Sequence, residues 1–294
     1  MDVARPAPPS TTPEPPRTVP FVTVDTAALH YRYAAPAAGR PLLVFSNSLG
    51  TDERLWDAVV ADLGADHGIL VYDQRGHGLS DAGASPASMA DLADDLAALM
   101  DHLGVTGAVP VGLSIGGMIV QQLATRRPDL VRALVLCDTA HRIGDPDFWA
   151  ARIAAVRDGG IASIADAILE RWFAPGFRRT HEPAWRACRN MLCRQSPDGY
   201  VDLCRAIGEA DLERSTARLR VPVLCVVGDA DGATPPALVK SLAELIPGAR
   251  YAVIDGAGHL PCIERPEALS DHVRRFVESV SSAPPHPDGD DADV

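Results

Sequence analysis

Short apolar runs recur along this chain, each parted from the next by a stretch of helical periodicity, and that alternation constrains the fold more than any other feature. The runs are Pro41–Phe45 (PLLVF), Gly68–Tyr72 (GILVY), Ala108–Val111, Ala133–Cys137 (ALVLC), Val221–Val227 (VPVLCVV) and Arg250–Ile254 (RYAVI). Helices are expected at Leu55–Leu63, Met89–Leu103, Ile115–Ala124, Pro236–Leu245 and Pro266–Val280. In the second of these, Leu92, Leu96, Leu99 and Met100 mark one apolar face. Strands that are apolar throughout must be covered on both sides. The pattern therefore predicts an α/β fold, a mostly parallel sheet with helices on both faces. Phe21–Val24 and Leu29–Tyr33 add an opening hairpin.

The rhythm breaks between Asp138 and Leu219. That stretch has helical periodicity at Ile153–Val156, Ile161–Phe173 and Tyr200–Ile207, no strand-like run, and three of the four tryptophans. Its place, after the sixth strand and before the seventh, suits a helical cap (138–219) inserted over the carboxyl edge of a core formed by 20–137 and 220–280. Ligands of open α/β sheets bind at that edge. Residues 1–19 are rich in proline and are expected to be a disordered leader, and 281–294 an acidic disordered tail.

A chain of 294 residues can bury a large core without disulfides or metals. The net charge of −12 argues against nucleic-acid or anionic-membrane partners, which need basic surface, but a local arginine cluster could still take an anionic small substrate. The six cysteines form no CxxC pair and no zinc-site spacing; Cys137 and Cys225 lie in strand-like runs and read as small buried hydrophobes. With no apolar stretch fit for a signal peptide or a membrane span, a cytoplasmic protein is expected.

The chemistry centres on Gly112-Leu113-Ser114-Ile115-Gly116. This G-x-S-x-G lies between a strand and a helix, where a sharp turn presents a serine hydroxyl above the sheet and a helix N-terminus faces developing negative charge. A serine needs a base to take its proton. Where such an elbow occurs, the partners follow in the order Ser, Asp, His. Among nine histidines, His259 fits, directly after the strand ending at Ile254; His77, in Arg75-Gly76-His77-Gly78, precedes the serine and reads as a loop-fastening residue. The acid should follow Val221–Val227, where Asp231 is the better placed and Asp229 the alternative. It would accept the Nδ1 proton of His259. The oxyanion donors expected are the backbone N–H of Ile115 and that of Leu49, with Ser48 the alternative, in the loop Ser46-Asn47-Ser48-Leu49-Gly50.

With these residues in place, the sequence resembles the α/β-hydrolases and, among them, the 3-oxoadipate enol-lactonases of the protocatechuate branch of aromatic catabolism. The carrying segments are FSNSLGTDERLWD (Phe45–Asp57), YDQRGHGLSD (Tyr72–Asp81), GLSIGGMIVQ (Gly112–Gln121) and CDTAHRIGDPDFWAARI (Cys137–Ile153). ERWFAPGF (Glu170–Phe177), GDADGATPP (Gly228–Pro236) and GAGHLPCIERPE (Gly256–Glu267) complete them. RGHG, the serine elbow and GAGH are shared by many α/β-hydrolases, whereas Ser-Asn-Ser-Leu-Gly is more telling, since most relatives carry His-Gly there. His141 stands where a second small residue is expected and Gly232 where proline is commoner.

The resemblance implies an enol-lactone substrate with an acetate arm, opened by Ser114 through an acyl-enzyme, with no metal and no cofactor. The arm needs a cation. Arg142, just after the strand Ala133–Cys137, is the expected one, and the cap arginines Arg171, Arg178, Arg179, Arg186, Arg189 and Arg194 are alternatives. Trp149 and Trp172 could wall the pocket. The partner expected is thus a small lactone or ester. A carboxylesterase, another lactonase or a carbon–carbon bond hydrolase would use the same residues, and a non-catalytic receptor-like protein can share the fold.

Overall fold

A computed structural model describes residues 20–84 and 86–281. The expected leader (1–19) and acidic tail lie outside the described residues, except that Ser281 closes the last helix. The hairpin forms as β1 (Phe21–Val24) and β2 (Ala27–Ala34), and β3 (Leu42–Ser46) opens the parallel part of the sheet. The strands that follow are β4 (Gly68–Tyr72), β5 (Val109–Leu113), β6 (Leu134–Cys137), β7 (Val223–Gly228) and β8 (Arg250–Ile254). Their order is β1-β2-β4-β3-β5-β6-β7-β8. Only the pairings of β2 are antiparallel. Every residue of β3 to β7 is buried, as strands sandwiched between helices must be.

Helices α1 (Asp57–Leu63), α2 (Met89–His102) and α3 (Ile115–Arg126) link β3 through β6. Helix α2 starts where the Ser88 side chain and Asp91 close a reciprocal capping box, and it buries Leu92, Leu96, Leu99 and Met100. Between β6 and β7 the described chain is helical: α4 (Pro146–Gly159), α5 (Ala165–Trp172), α6 (Phe177–Thr180), α7 (Glu182–Cys193), α8 (Pro197–Glu209) and α9 (Glu213–Thr216). Helix α10 (Pro236–Leu245) joins β7 to β8, and α11 (Pro261–Glu264) and α12 (Pro266–Ser281) end the described chain. No helix among the described residues is long and apolar enough to cross a membrane. The six cysteines are free thiols, with Cys137 and Cys225 buried in β6 and β7.

Register positions the site. Ser46 pairs with Gly112, Leu113 with Cys137, Cys137 with Val226 and Gly228 with Ile254, so the loops after β3, β5, β6, β7 and β8 leave the sheet at one edge. Strand β5 runs two residues further than the apolar pattern suggested, because Gly112 pairs on both sides with Ser46 and Leu136. Ser114 then falls at the turn itself. Helix α3 packs tightly against this edge: a Cβ on Gly116 would lie 2.1 Å from the Ser46 carbonyl oxygen, and one on Gly112 2.4 Å from that of Gly116. Gly116→Ala is therefore expected to force backbone apart and to destabilise the fold by about 1–3 kcal/mol. Urea unfolding should show a lower midpoint at unchanged slope, and an unmoved midpoint would refute the close approach.

Candidate active site at the carboxyl edge

Ser114 sits at φ 59° and ψ −119°, a left-handed conformation that costs a non-glycine residue about 1–3 kcal/mol. Neighbouring bonds hold it there. Its N–H donates to the Cys137 carbonyl at 3.0 Å, and its carbonyl accepts from the Gly117 N–H (2.9 Å) and the Thr139 hydroxyl (2.6 Å). The strained turn lifts the side chain off the sheet, and Ser114 lines a cavity of about 190 Å³ between the sheet edge and the helices that follow β6.

His259 opens onto the same cavity. Its Nδ1 lies 2.9 Å from Asp231 Oδ2, and both side chains are buried. Asp231 also accepts from the N–H groups of Ala233 (2.7 Å) and Thr234 (3.0 Å) and from the Thr234 hydroxyl (2.6 Å). Burial works to raise the Asp231 pKa, but the charge and hydrogen bond of His259 and the Thr234 donors outweigh it, so the group is held below the usual carboxylate range. The alternative acid, Asp229, does other work: its Oδ1 accepts the Gly256 N–H at 2.8 Å and fastens the loop that carries His259. Thr234 escaped the sequence reading, although its place three residues after Asp231 is the spacing at which a hydroxyl can fold back on a carboxylate.

The end of α5 holds these loops through its backbone. His259 N–H donates to the Trp172 carbonyl at 2.7 Å and Gly232 N–H to that of Arg171 at 3.2 Å. A proline at position 232 could not make the second bond, which gives the glycine there a physical reason. A Cβ on Gly258 would meet the Trp172 carbonyl oxygen at 2.4 Å.

Ser48 and Leu49 line the cavity opposite. Ile115 opens α3, so its N–H lies in the first turn, where no intrahelical acceptor exists. The loop from Ser46 to Gly50 is locked from below: Asn47 Nδ2 donates to the Tyr72 carbonyl at 2.8 Å, and Asn47 Oδ1 accepts from Trp56 Nε1 at 2.9 Å. Gln74 Nε2 donates to the Asn47 carbonyl at 2.7 Å, and the Gly50 N–H donates to His77 Nε2 at 3.0 Å.

Trp149 and Trp172 line the cavity, and Arg142 does not. The chain turns outward after β6, leaving Arg142 exposed while its neighbours Ile143 and Gly144 form part of the wall. The cations that face the cavity are Arg152, which the sequence reading missed, and Arg171. Arg152 stacks over the rings of Phe148 and Trp149 at 4.8 and 5.0 Å. Burial, and then the nearby Arg152 guanidinium, lower the Arg171 pKa. The cap arginines Arg178, Arg186 and Arg189 instead pair with Glu170, Glu182 and Asp166. Nothing in the periodicity of 153–156 marked Arg152, because a pocket-facing arginine on a mixed helix has the same pattern as a solvated one. His141 is not among the lining residues; its carbonyl accepts the Leu212 N–H.

Among the described residues, Asp138, Asp231 and His259 form the one group of three side chains with metal-ligating atoms in reach of one another. Asp231 accepts from backbone, hydroxyl and imidazole donors, so its place in this group is that of a hydrogen-bonded carboxylate orienting His259.

Known proteins resemble this chain in sequence and fold. A model of the alpha/beta hydrolase family matches residues 43–272. The chain is 34% identical to 3-oxoadipate enol-lactonase 2 of Acinetobacter baylyi over 257 residues, 87% of this chain and 96% of that protein. It is 31% identical to 3-oxoadipate enol-lactonase 1 of the same organism over 240 residues, 82% and 90% of the two chains. The crystal structure of the enol-lactonase from Burkholderia xenovorans superposes with a TM-score of 0.84 at 37% identity, covering 88% of this chain and all of the other.

His77 gives the site a pH-dependent fastening. Burial pushes its pKa down to about 4, so in the folded protein it stays a neutral acceptor for Gly50. An unfolded chain takes up that proton near pH 6.5, so between the two values the unfolded state binds more protons and stability falls as pH falls, by about 3 kcal/mol in all. His77→Gln lacks this loss. Urea unfolding should show the stability gap between wild type and variant shrinking by about 2–3 kcal/mol from pH 7 to pH 4.5. A gap independent of pH would refute a buried neutral His77.

Proposed function

The chain belongs to the alpha/beta hydrolase family, and from that membership we propose that it opens 3-oxoadipate enol-lactone to 3-oxoadipate through an acyl-enzyme on Ser114. One observation carries the reading. Arg152 and Arg171 face the cavity of Ser114 and His259, and among the described residues neither is bound in an ion pair. Two adjacent guanidinia repel unless an anion lies between them, and a substrate carboxylate supplies one. The likeness to enol-lactonases over most of the chain supports the same substrate class.

In this mechanism Asp231 takes the Nδ1 hydrogen bond of His259, leaving Nε2 to accept the Ser114 proton as Oγ attacks the lactone carbonyl. The N–H groups of Leu49 and Ile115 stabilise the oxyanion. The ring opens with an enolate leaving group, which stays tethered to the acyl fragment and is reprotonated to the ketone. Water activated by His259 then releases the product. Arg152, Arg171, Trp149 and Trp172 hold the acetate arm.

The test is loss of ultraviolet absorbance of the lactone. Wild type is expected to turn it over and Ser114→Ala to fall by at least about 10⁴-fold in kcat. Cleavage of p-nitrophenyl acetate without lactone turnover would leave a Ser114 esterase and refute the substrate. For the cation, Arg152→Ala should lower kcat/KM for the lactone by about 10- to 100-fold while changing that for p-nitrophenyl acetate by less than about threefold. Equal losses on both substrates would show that Arg152 does not read the carboxylate.

A further inference from the structure

We propose that Asp138 carries a proton in the resting protein and donates it to the Asp231 carboxylate, acting as a positioning residue behind the Asp231–His259 pair. The inference rests on the reading of Ser114, His259 and Asp231 given above.

Asp138 is the first residue after β6 and is fully buried. An oxygen of its carboxyl, an oxygen of Asp231 and a nitrogen of His259 all lie within 4.8 Å of one another. The two carboxyls are supplied with donors very unequally. Asp231 receives two N–H groups, a hydroxyl and an imidazole. Asp138 receives one, the Gly228 N–H on Oδ1 at 2.9 Å, and its Oδ2 meets no donor.

Among the described residues, the other titratable groups that bear on Asp138, besides the imidazole of His259, are thiols, a phenol and carboxyls. From its own strand comes the Cys137 thiol, from β8 the Tyr251 hydroxyl, from α11 the Cys262 thiol and the Glu264 carboxyl, and from the loop after β7 Asp231. Two buried carboxylates with oxygens within 4.8 Å of each other cannot both stay ionised on the strength of one imidazole. The better-solvated partner keeps the charge, which is Asp231. The proton goes to Asp138, where Oδ2–H gains an acceptor and the orphaned oxygen becomes a donor. Burial first, and then the Asp231 charge, push the Asp138 pKa well above the ordinary range in the same sense.

The backbone agrees. Among the described residues, the non-glycine positions at positive φ are Asp25, Ser114 and Asp138. Ser114 and Asp138 (φ 47°) are joined through one ladder, since Ser114 N–H donates to the carbonyl of Cys137. Such strain persists where the surroundings over-determine it, and here it turns an acid onto the residue that orients His259.

The test needs no assumption about substrate. Difference infrared spectra, wild type minus Asp138→Asn, on protein carrying ¹³C-carboxyl aspartate should show the carbonyl stretch of a protonated acid at pH 6 to 8. Asparagine reproduces a neutral acid, donating to Asp231 and accepting from Gly228. The acid limb of the kcat/KM profile for p-nitrophenyl acetate should therefore stay within about 0.3 pH unit in Asp138→Asn. Asp138→Leu, which has no donor, should lose about tenfold in kcat at similar KM, and asparagine should recover most of that loss. No protonated-acid band in wild type would overturn the proposal. So would a limb displaced by about one unit or more in Asp138→Asn, the mark of a charge removed beside the imidazole. If p-nitrophenyl acetate is not turned over at all, the catalytic reading fails while the infrared band still decides where the proton sits.

Discussion

The backbone hydrogen bond from His259 to the Trp172 carbonyl, 2.7 Å long, makes α5 and the edge of the sheet that carries the candidate site one mechanical unit. Around it, Gly258 N–H and Ala174 N–H converge on the two oxygens of Glu264, while the Arg171 carbonyl accepts the Gly232 N–H and the Arg171 Nε–H donates to the Gly232 carbonyl. The end of α5 therefore clamps the loop of Asp231 and the loop of His259 together. The approach is so close that a side chain at position 258 has no room. Such a site cannot be assembled by the sheet alone. Of the residues proposed to recognise substrate, Trp172 also holds the loop of His259 and Arg171 that of Asp231, so changing specificity at this helix end also disturbs the Asp231–His259 pair.

How far the sequence reveals this depends on whether a residue's role leaves a local pattern. The parallel sheet was legible because strands buried on both faces have to be apolar throughout, and the described β3 to β7 are. Ser114 was legible because its strained turn needs glycine at 112 and 116, where a Cβ would run into a backbone carbonyl oxygen. His259 and Asp231 followed from chain order. Arg142 was expected from its place after β6, but one loop residue can face either way and this one faces solvent. Arg152, Thr234 and Asp138 were not found. Each acts through a partner distant in sequence or through an atom whose direction no spacing specifies.

Electrostatics at the site runs against that of the whole molecule. A chain with net charge −12 repels anions at long range, and the carboxylate of the proposed substrate would have to be drawn in by the cavity itself. Arg152 and Arg171 provide that local field under an apolar wall of Phe148, Trp149 and Trp172, where interactions are stronger than in water. The two guanidinia repel each other, and an anion bound as proposed would relieve that repulsion.

The acidic side of the relay follows the same logic with the sign reversed. A second carboxylate beside Asp231 would strengthen the hold on a protonated His259 and hinder its return to the neutral base. A neutral acid at 138 instead leaves a single negative charge on Asp231, well supplied with donors and aimed at one imidazole nitrogen. With Arg152 and Arg171 lining the cavity and the Asp231 carboxylate behind His259, the proposed charge arrangement favours negative charge growing on the substrate side. An attacking alkoxide and a developing oxyanion need a field of that sign.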